Sequence, residues 1–230
     1  MFFDPVYLLF VGPTMLLAMW AQMKVKGSYS KWSQVAASSR MTGAQAASRM
    51  LQSAGVTDVS IEPVQGYLSD HYDPRSKKLR LSPGVYQGQS VAAMGIACHE
   101  AGHALQHAQG YGALALRNAI VPVANIGSWL AWPMIFGGML LQMQGLALLG
   151  IVAFSMLVLF QIITLPVEFD ASNRAKRQIQ TLGIVQSQAE AGGVASVLNA
   201  AALTYVAATI TAIATLLYFA LRIGLFGRRD

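Results

Sequence analysis

Charge is what this sequence has least of. Only 11% of its 230 residues are Asp, Glu, Lys or Arg, against about 25% in soluble globular chains. Coupled to 54% hydrophobic residues, the deficit excludes an ordinary soluble domain and points to a bilayer. Cysteine is nearly missing. Cys98 stands alone, so no internal disulfide can form and the redox compartment stays open. A small buried side chain is the expected role of Cys98, ahead of a metal or redox role. Acidic residues number 10 against 16 Lys and Arg, a formal charge of +6. Nucleic acid is not the expected partner of that charge. The basic residues flank apolar runs, as orientation in a membrane requires, and no basic-aromatic motif interleaves them. Histidine is scarce too, with four in the chain, yet three of them fall together as His99, His103 and His107.

What is present is a set of long apolar runs. Residues 5–23 carry no charge and are long enough to span about 30 Å as a helix. No basic residue precedes them and no small-x-small cleavage site follows, so a retained first span is expected rather than a signal peptide; Pro13 is a potential kink. Residues 119–141 and 145–165, split by Gln142-Met143-Gln144, predict a helical hairpin across the membrane. Pro122, Pro133 and the Gly137-Gly138 pair mark bends or close packing in its first arm. A fourth run covers about 200–221. The expected division is 1–23 first transmembrane helix, 24–118 α+β region, 119–165 hairpin, 166–199 second polar region, and 200–230 fourth transmembrane helix with a basic tail. Four spans place both polar regions on one side. Near the span ends that side holds Lys24, Lys26, Lys31, Arg40, Arg117, Arg174, Lys176 and Arg177, against Arg222, Arg228 and Arg229 on the other, which predicts a cytoplasmic location for the polar regions.

Within the polar regions, Thr42 and Gln45 form a capping-box pattern for a helix that Gly55 ends. Asp58 to Glu62 alternates as a short strand. Gly66–Tyr72 and Lys77–Leu81 read as extended stretches joined by the turn Asp73-Pro74-Arg75-Ser76, an antiparallel hairpin. Ser90 is a plausible N-cap for a helix running to Gly110 or Gly112. Glu168 opens an amphipathic helix that Gly183 ends, and Ser187-x-x-Glu190 repeats the capping-box pattern.

The chemistry sits in Gly95 to His107, which contains His99-Glu100-x-x-His103. Positions i and i+4 share one helical face, so both imidazoles can point at one ion. Glu100 then reaches a water at that ion rather than the ion itself, the layout of a zinc-dependent hydrolase with Glu100 as general base. On a surface helix the same residues could be a solvated polar face. Here Ile96, Ala97, Ala101 and Leu105 make the flanks apolar, and two imidazoles and a carboxylate on such a helix need buried partners. Gly102 permits close approach of another backbone. A catalytic zinc takes three protein ligands. At about 1.5 Å rise per residue His99 and His107 lie about 12 Å apart along the axis, so all three histidines cannot bind one ion. Gln109 occupies the position of a metzincin third histidine. Glu168 is the leading third ligand, because it comes straight off a span and starts an amphipathic helix. Asp170 and His71 are the alternatives. Donors for a developing oxyanion are sought among His71, Tyr72, Arg174 and Tyr205, and His107 is expected beside the site rather than on the metal. The exposed edge of the 66–82 hairpin could take an extended peptide by strand addition.

Longer stretches carry a resemblance. Gly66-Tyr-Leu-Ser-Asp-His-Tyr-Asp-Pro-Arg75, Leu79-Arg-Leu-Ser-Pro83, Cys98-His-Glu-Ala-Gly-His-Ala-Leu-Gln-His107 and Leu165-Pro-Val-Glu-Phe-Asp-Ala-Ser172 resemble the YugP-type neutral zinc metallopeptidases of bacterial membranes. The likeness is clearest from Thr42 through Ala175. That family is similar in turn to the HtpX-like and CAAX-prenyl endopeptidase gluzincins, where a metal helix precedes a membrane hairpin and a Glu-x-x-x-Asp segment gives the third ligand. The resemblance implies one Zn2+ per chain on His99, His103 and Glu168, with Glu100 as base. Ser172 stands where the family's Asp normally holds a ligand histidine, so Asp170 or Ser172 itself would have to substitute.

The resulting expectation is a polytopic α-helical membrane protein with four transmembrane helices and a small α+β zincin-like catalytic region carrying a short antiparallel sheet. It would sit as a multi-pass protein in the bacterial inner membrane and hydrolyse peptide bonds of membrane or membrane-proximal proteins. The alternatives are a zinc hydrolase of a non-peptide amide or ester, and a non-catalytic zinc-binding scaffold.

Overall fold

A computed structural model describes residues 4–225; the basic tail with Arg228 and Arg229 lies outside the described residues. The order of elements is α1 (Pro5–Ser33), α2 (Gly43–Ser53), β1 (Ser60–Pro63), β2 (His71–Asp73), β3 (Lys78–Leu81), α3 (Pro83–Tyr86), α4 (Val91–Ala108), α5 (Gly112–Leu140), α6 (Gln144–Thr181) and α7 (Gln188–Arg222). Four of these, α1, α5, α6 and α7, are long and apolar enough to cross a membrane. The chain divides into two units, one of residues 1–21, 116–165 and 204–230, the other of 22–115 and 166–203.

The first unit is helical. Its core gathers Ala131, Ile135, Ile151, Phe154, Val158, Ala212, Tyr218 and Phe219. Glycine sets how closely the arms of the α5–α6 hairpin pack. A Cβ on Gly138 would sit 2.3 Å from the Ala147 nitrogen, and one on Gly150 2.7 Å from that of Ile135. Small residues permit such approach between membrane helices. The helices run unbroken through Pro13, Pro122 and Pro133. At one end the Tyr218 hydroxyl donates to Asp4 Oδ2 at 2.8 Å.

The second unit is built on α4, whose buried face carries Val91, Met94, Ala97, Cys98, Ala101 and Leu105. Ser90 caps it, its Oγ accepting the Ala93 N–H, and Gly110 at φ +66° follows its end. The α2 capping box is complete: Thr42 Oγ1 accepts from Gln45 N and Gln45 Oε1 accepts from Thr42 N.

The sheet has the order β1-β3-β2 and is mixed. The expected hairpin is its antiparallel half, with Tyr72 opposite Leu79; β1 adds on the other side in parallel, Ile61 beside Leu79. The reason lies in β3. Leu79 and Leu81 are fully buried, so the most apolar strand takes the centre, where both neighbours cover it. The first arm of the hairpin is shorter than its sequence suggests. Gly66 at φ +115° and Leu68 at φ +51° break the extended path, and only His71–Asp73 pairs.

One further expectation changes. Residues 166–181 do not start a new helix, because α6 continues through Pro166 without interruption. Ser187 caps α7 by accepting the Glu190 N–H at 3.1 Å. Glu190 completes the box, its carboxylate taking a backbone hydrogen bond from Ser187; one of its oxygens also accepts from the Gln186 N–H, and the other from the N–H and hydroxyl of Ser38.

Candidate metal centre

Two helices of the second unit supply the site. On α4, His99 and His103 fall one turn apart and their rings meet edge to face, 4.8 Å between centroids. On α6, Glu168 is almost wholly buried, 2% exposed. The helices can meet there because position 102 has no side chain. A Cβ on Gly102 would stand 2.8 Å from the Ala171 carbonyl oxygen and 3.2 Å from its Cα. Closure at Gly102 carries His99 and His103 to either side of Glu168.

Both imidazoles turn the same nitrogen inward. His99 Nε2 lies 3.2 Å from Glu168 Oε2, and His103 Nε2 lies 3.6 Å from the same oxygen. One donor atom from each residue falls within 4.8 Å of the others. Zinc holds nitrogen and carboxylate oxygen at about 2.0–2.2 Å in a tetrahedron, so donors this close and of this kind fit one ion. Burial by itself would lower the affinity of His103 for a proton. Its hydrogen bond to Glu168 and the charges of Glu100 and Glu168 outweigh burial, and its pKa stands above the ordinary 6.5. The pocket is thus built to hold positive charge. Glu100, next to His99, is half-buried.

The outward nitrogens are also held. Ser172 Oγ lies 3.1 Å from His99 Nδ1. Gln106 Oε1 lies 3.0 Å from His103 Nδ1, and the Gln106 amide nitrogen donates to the Val167 carbonyl at 2.8 Å and to Asp170 Oδ2 at 2.9 Å. Arg174 donates to Asp170 Oδ2 and to Gln109 Oε1. Gln106 is the residue that sequence reasoning missed. Its signal was an amide three positions after His103 on an apolar helix face, where a polar group needs partners.

The other candidates lie elsewhere. Asp170 serves Gln106 and Arg174 and stays out of the cluster. His71 is exposed on β2, its Nδ1 2.8 Å from the Ser69 carbonyl oxygen. Tyr72 and His107 face each other, with hydroxyl and Nδ1 2.8 Å apart. They line a cleft of about 440 Å³ with Asp58, Lys77, Ala104 and Ala108, and none of His99, His103 or Glu168 borders it. Tyr205 belongs to the other unit. Cys98 is fully buried, and burial pushes its thiol up to about 12, so it keeps its proton and makes a poor metal ligand.

The chain is 52% identical over 203 residues to the "Putative membrane protease YugP" of Bacillus subtilis (strain 168), covering 88% of this chain and 90% of that protein. No solved structure matches. Residues 7–224 match the family described as "Putative neutral zinc metallopeptidase", and the chain belongs to that family of zinc metallopeptidases.

Proposed function

We propose that the chain is an endopeptidase of the His-His-Glu type, with one zinc ion held by His99, His103 and Glu168 and with Glu100 as its general base. The observation that carries this reading is the convergence of both Nε2 atoms on one buried carboxylate oxygen, at 3.2 and 3.6 Å. Zinc in that position would polarise a carbonyl and lower the pKa of water toward neutrality. Glu100 follows His99 directly, its charge acts on His103, and it would reach a water held on the ion. Its carboxylate takes a proton as the water oxygen attacks the peptide carbonyl carbon. It then delivers that proton to the amide nitrogen as the C–N bond breaks, leaving an amine and a carboxylic acid that releases its remaining proton to solvent.

The substrate class follows from chain position. Glu168 comes three residues after the apolar run that ends at Leu165, which favours membrane or membrane-proximal segments. β2 is an edge strand packed on α4, so an extended peptide could pair with it by strand addition. The basic residues flanking the spans favour a cytoplasmic site in a bacterial inner membrane.

The test uses the full chain in detergent or nanodiscs, loaded with zinc and offered unfolded and membrane-protein substrates. Wild type should cleave, and Glu100→Gln should bind zinc but not cleave. Cleavage that survives Glu100→Gln would sink the mechanism. Turnover confined to non-peptide amides or esters would replace the peptidase reading.

A further inference from the structure

Gln106 is fully buried on a turn of α4 whose neighbours are Ala104 and Leu105. A primary amide there costs free energy unless each polar atom finds a partner. Its nitrogen has two, the Val167 carbonyl and Asp170 Oδ2. Both can only accept. The amide therefore cannot be turned over, since its own carbonyl oxygen would then face two acceptors. With the nitrogen fixed, Oε1 must face His103 Nδ1. An oxygen there requires that Nδ1 carry a hydrogen, which in the neutral ring leaves the lone pair on Nε2, the atom that faces Glu168. The acceptors on one side of Gln106 thus dictate the tautomer of His103 on the other.

We propose that Gln106 is a positioning residue for the metal site, fixing the tautomer and ring angle of His103, and that Asp170 acts on His103 only through it. The inference rests on the zinc reading above. In many metal sites a carboxylate touches the ligand histidine directly. Here it stands one residue back, with a neutral amide between, and Arg174 holds it from behind. The motif that matters would then extend past the second histidine to Gln106 and, on α6, to Asp170.

The experiment measures zinc affinity of the full chain in detergent, by competition of zinc alone against a chromogenic chelator. Gln106→Leu keeps the volume and removes the hydrogen bonds. Its affinity should fall about 10–100-fold, the usual effect of removing such a partner. Asp170→Ala, at a partly exposed side chain, should weaken binding by a smaller factor of about 10 or less. It should add nothing in the Gln106→Leu background, because its route to His103 is already cut. Nitrogen-15 chemical shifts of His103 in the zinc-free protein, read at a pH alkaline enough to neutralise the ring, should report the Nδ1–H form in wild type and a mixture in Gln106→Leu. Wild-type zinc affinity in Gln106→Leu, or an undiminished Asp170→Ala effect in that background, would overturn the proposal. If Gln106→Leu does not fold, an unchanged His103 tautomer in Asp170→Ala overturns the relay on its own. His99→Ala separates the two readings. If it binds zinc as well as wild type, the site assignment itself has failed; if it loses zinc while Gln106→Leu does not, only the role of Gln106 has failed.

Discussion

The hydroxyl of Ser172 lies 3.1 Å from Nδ1 of His99. With His99 Nε2 turned to Glu168, Nδ1 is left to donate, and a serine oxygen accepts as well as a carboxylate can in direction, though without its charge. The contact is therefore made without an ion. Ser172→Ala removes the acceptor from a position only 4% exposed, leaving Nδ1 without its partner. Zinc affinity should fall about tenfold, with about 1 kcal/mol lost from the unfolding free energy. Chelator competition and chemical denaturation measure the two effects, and an unchanged zinc affinity would show that His99 needs no help from α6.

The approach of α4 to α6 depends on one missing methyl group. A Cβ at position 102 meets Ala171 backbone at 2.8 Å, whereas one at position 95 meets only ordinary contact with Val194 at 3.4 Å. Both glycines lie inside the same helix, so both carry the same entropic penalty relative to alanine. Gly102→Ala should therefore cost about 1–3 kcal/mol by forcing the helices apart and should weaken zinc binding as Glu168 recedes from the histidines. Gly95→Ala should be neutral or stabilising by about 0.5–1 kcal/mol. Thermal unfolding of the two variants side by side checks the contrast.

Much of this arrangement was legible in the sequence because it is local or periodic. The His99–His103 spacing, the Thr42 and Ser90 caps and the four apolar runs each depend on neighbours within a turn or two. Glu168 could be reached because charges are so few that elimination left little else. Gln106 was not legible, since its meaning depends on Val167 and Asp170, some sixty positions away. The parallel pairing of β1 was hidden for a similar reason, as alternation reveals a strand but not its neighbour. The continuity of α6 was masked by Pro166. A proline removes one backbone donor and invites a break, yet here the helix runs on, with Val167 and Ala171 fully buried on its packed face.

Cys98 directly precedes the first histidine of the motif, so a redox or ligand role is a natural question. Its side chain points the other way, into the core with Met94, Ala97 and Ala101. Burial raises its pKa to about 12, which leaves almost no thiolate at neutral pH, and the thiolate is the reactive species. Iodoacetamide at about pH 8 should leave the native protein unlabelled and modify it fully in denaturant. Cys98→Ala should retain zinc binding and lose only the packing of one sulfur atom. Mass spectrometry of the labelled chain checks the first point, and rapid native labelling would show that this part of α4 opens.

The raised pKa of His103 gives zinc-free and zinc-loaded protein opposite responses to pH. Without metal, the folded state keeps a proton on His103 at pH values where the unfolded chain has released it. That stabilising contribution is fully present below the ordinary 6.5 and fades as pH rises through the higher folded value. Zinc requires the neutral imidazole, so it must expel the same proton, and its apparent affinity should weaken as pH falls through that folded value. The increase in melting temperature on adding zinc should accordingly grow between about pH 6 and pH 8. Glu168→Gln removes the carboxylate that sustains the proton, and the acid stabilisation of the zinc-free protein should shrink with it. A series of thermal melts with and without zinc across this range tests both signs together. A zinc-induced shift that stays flat with pH would mean that His103 is already neutral when the metal arrives.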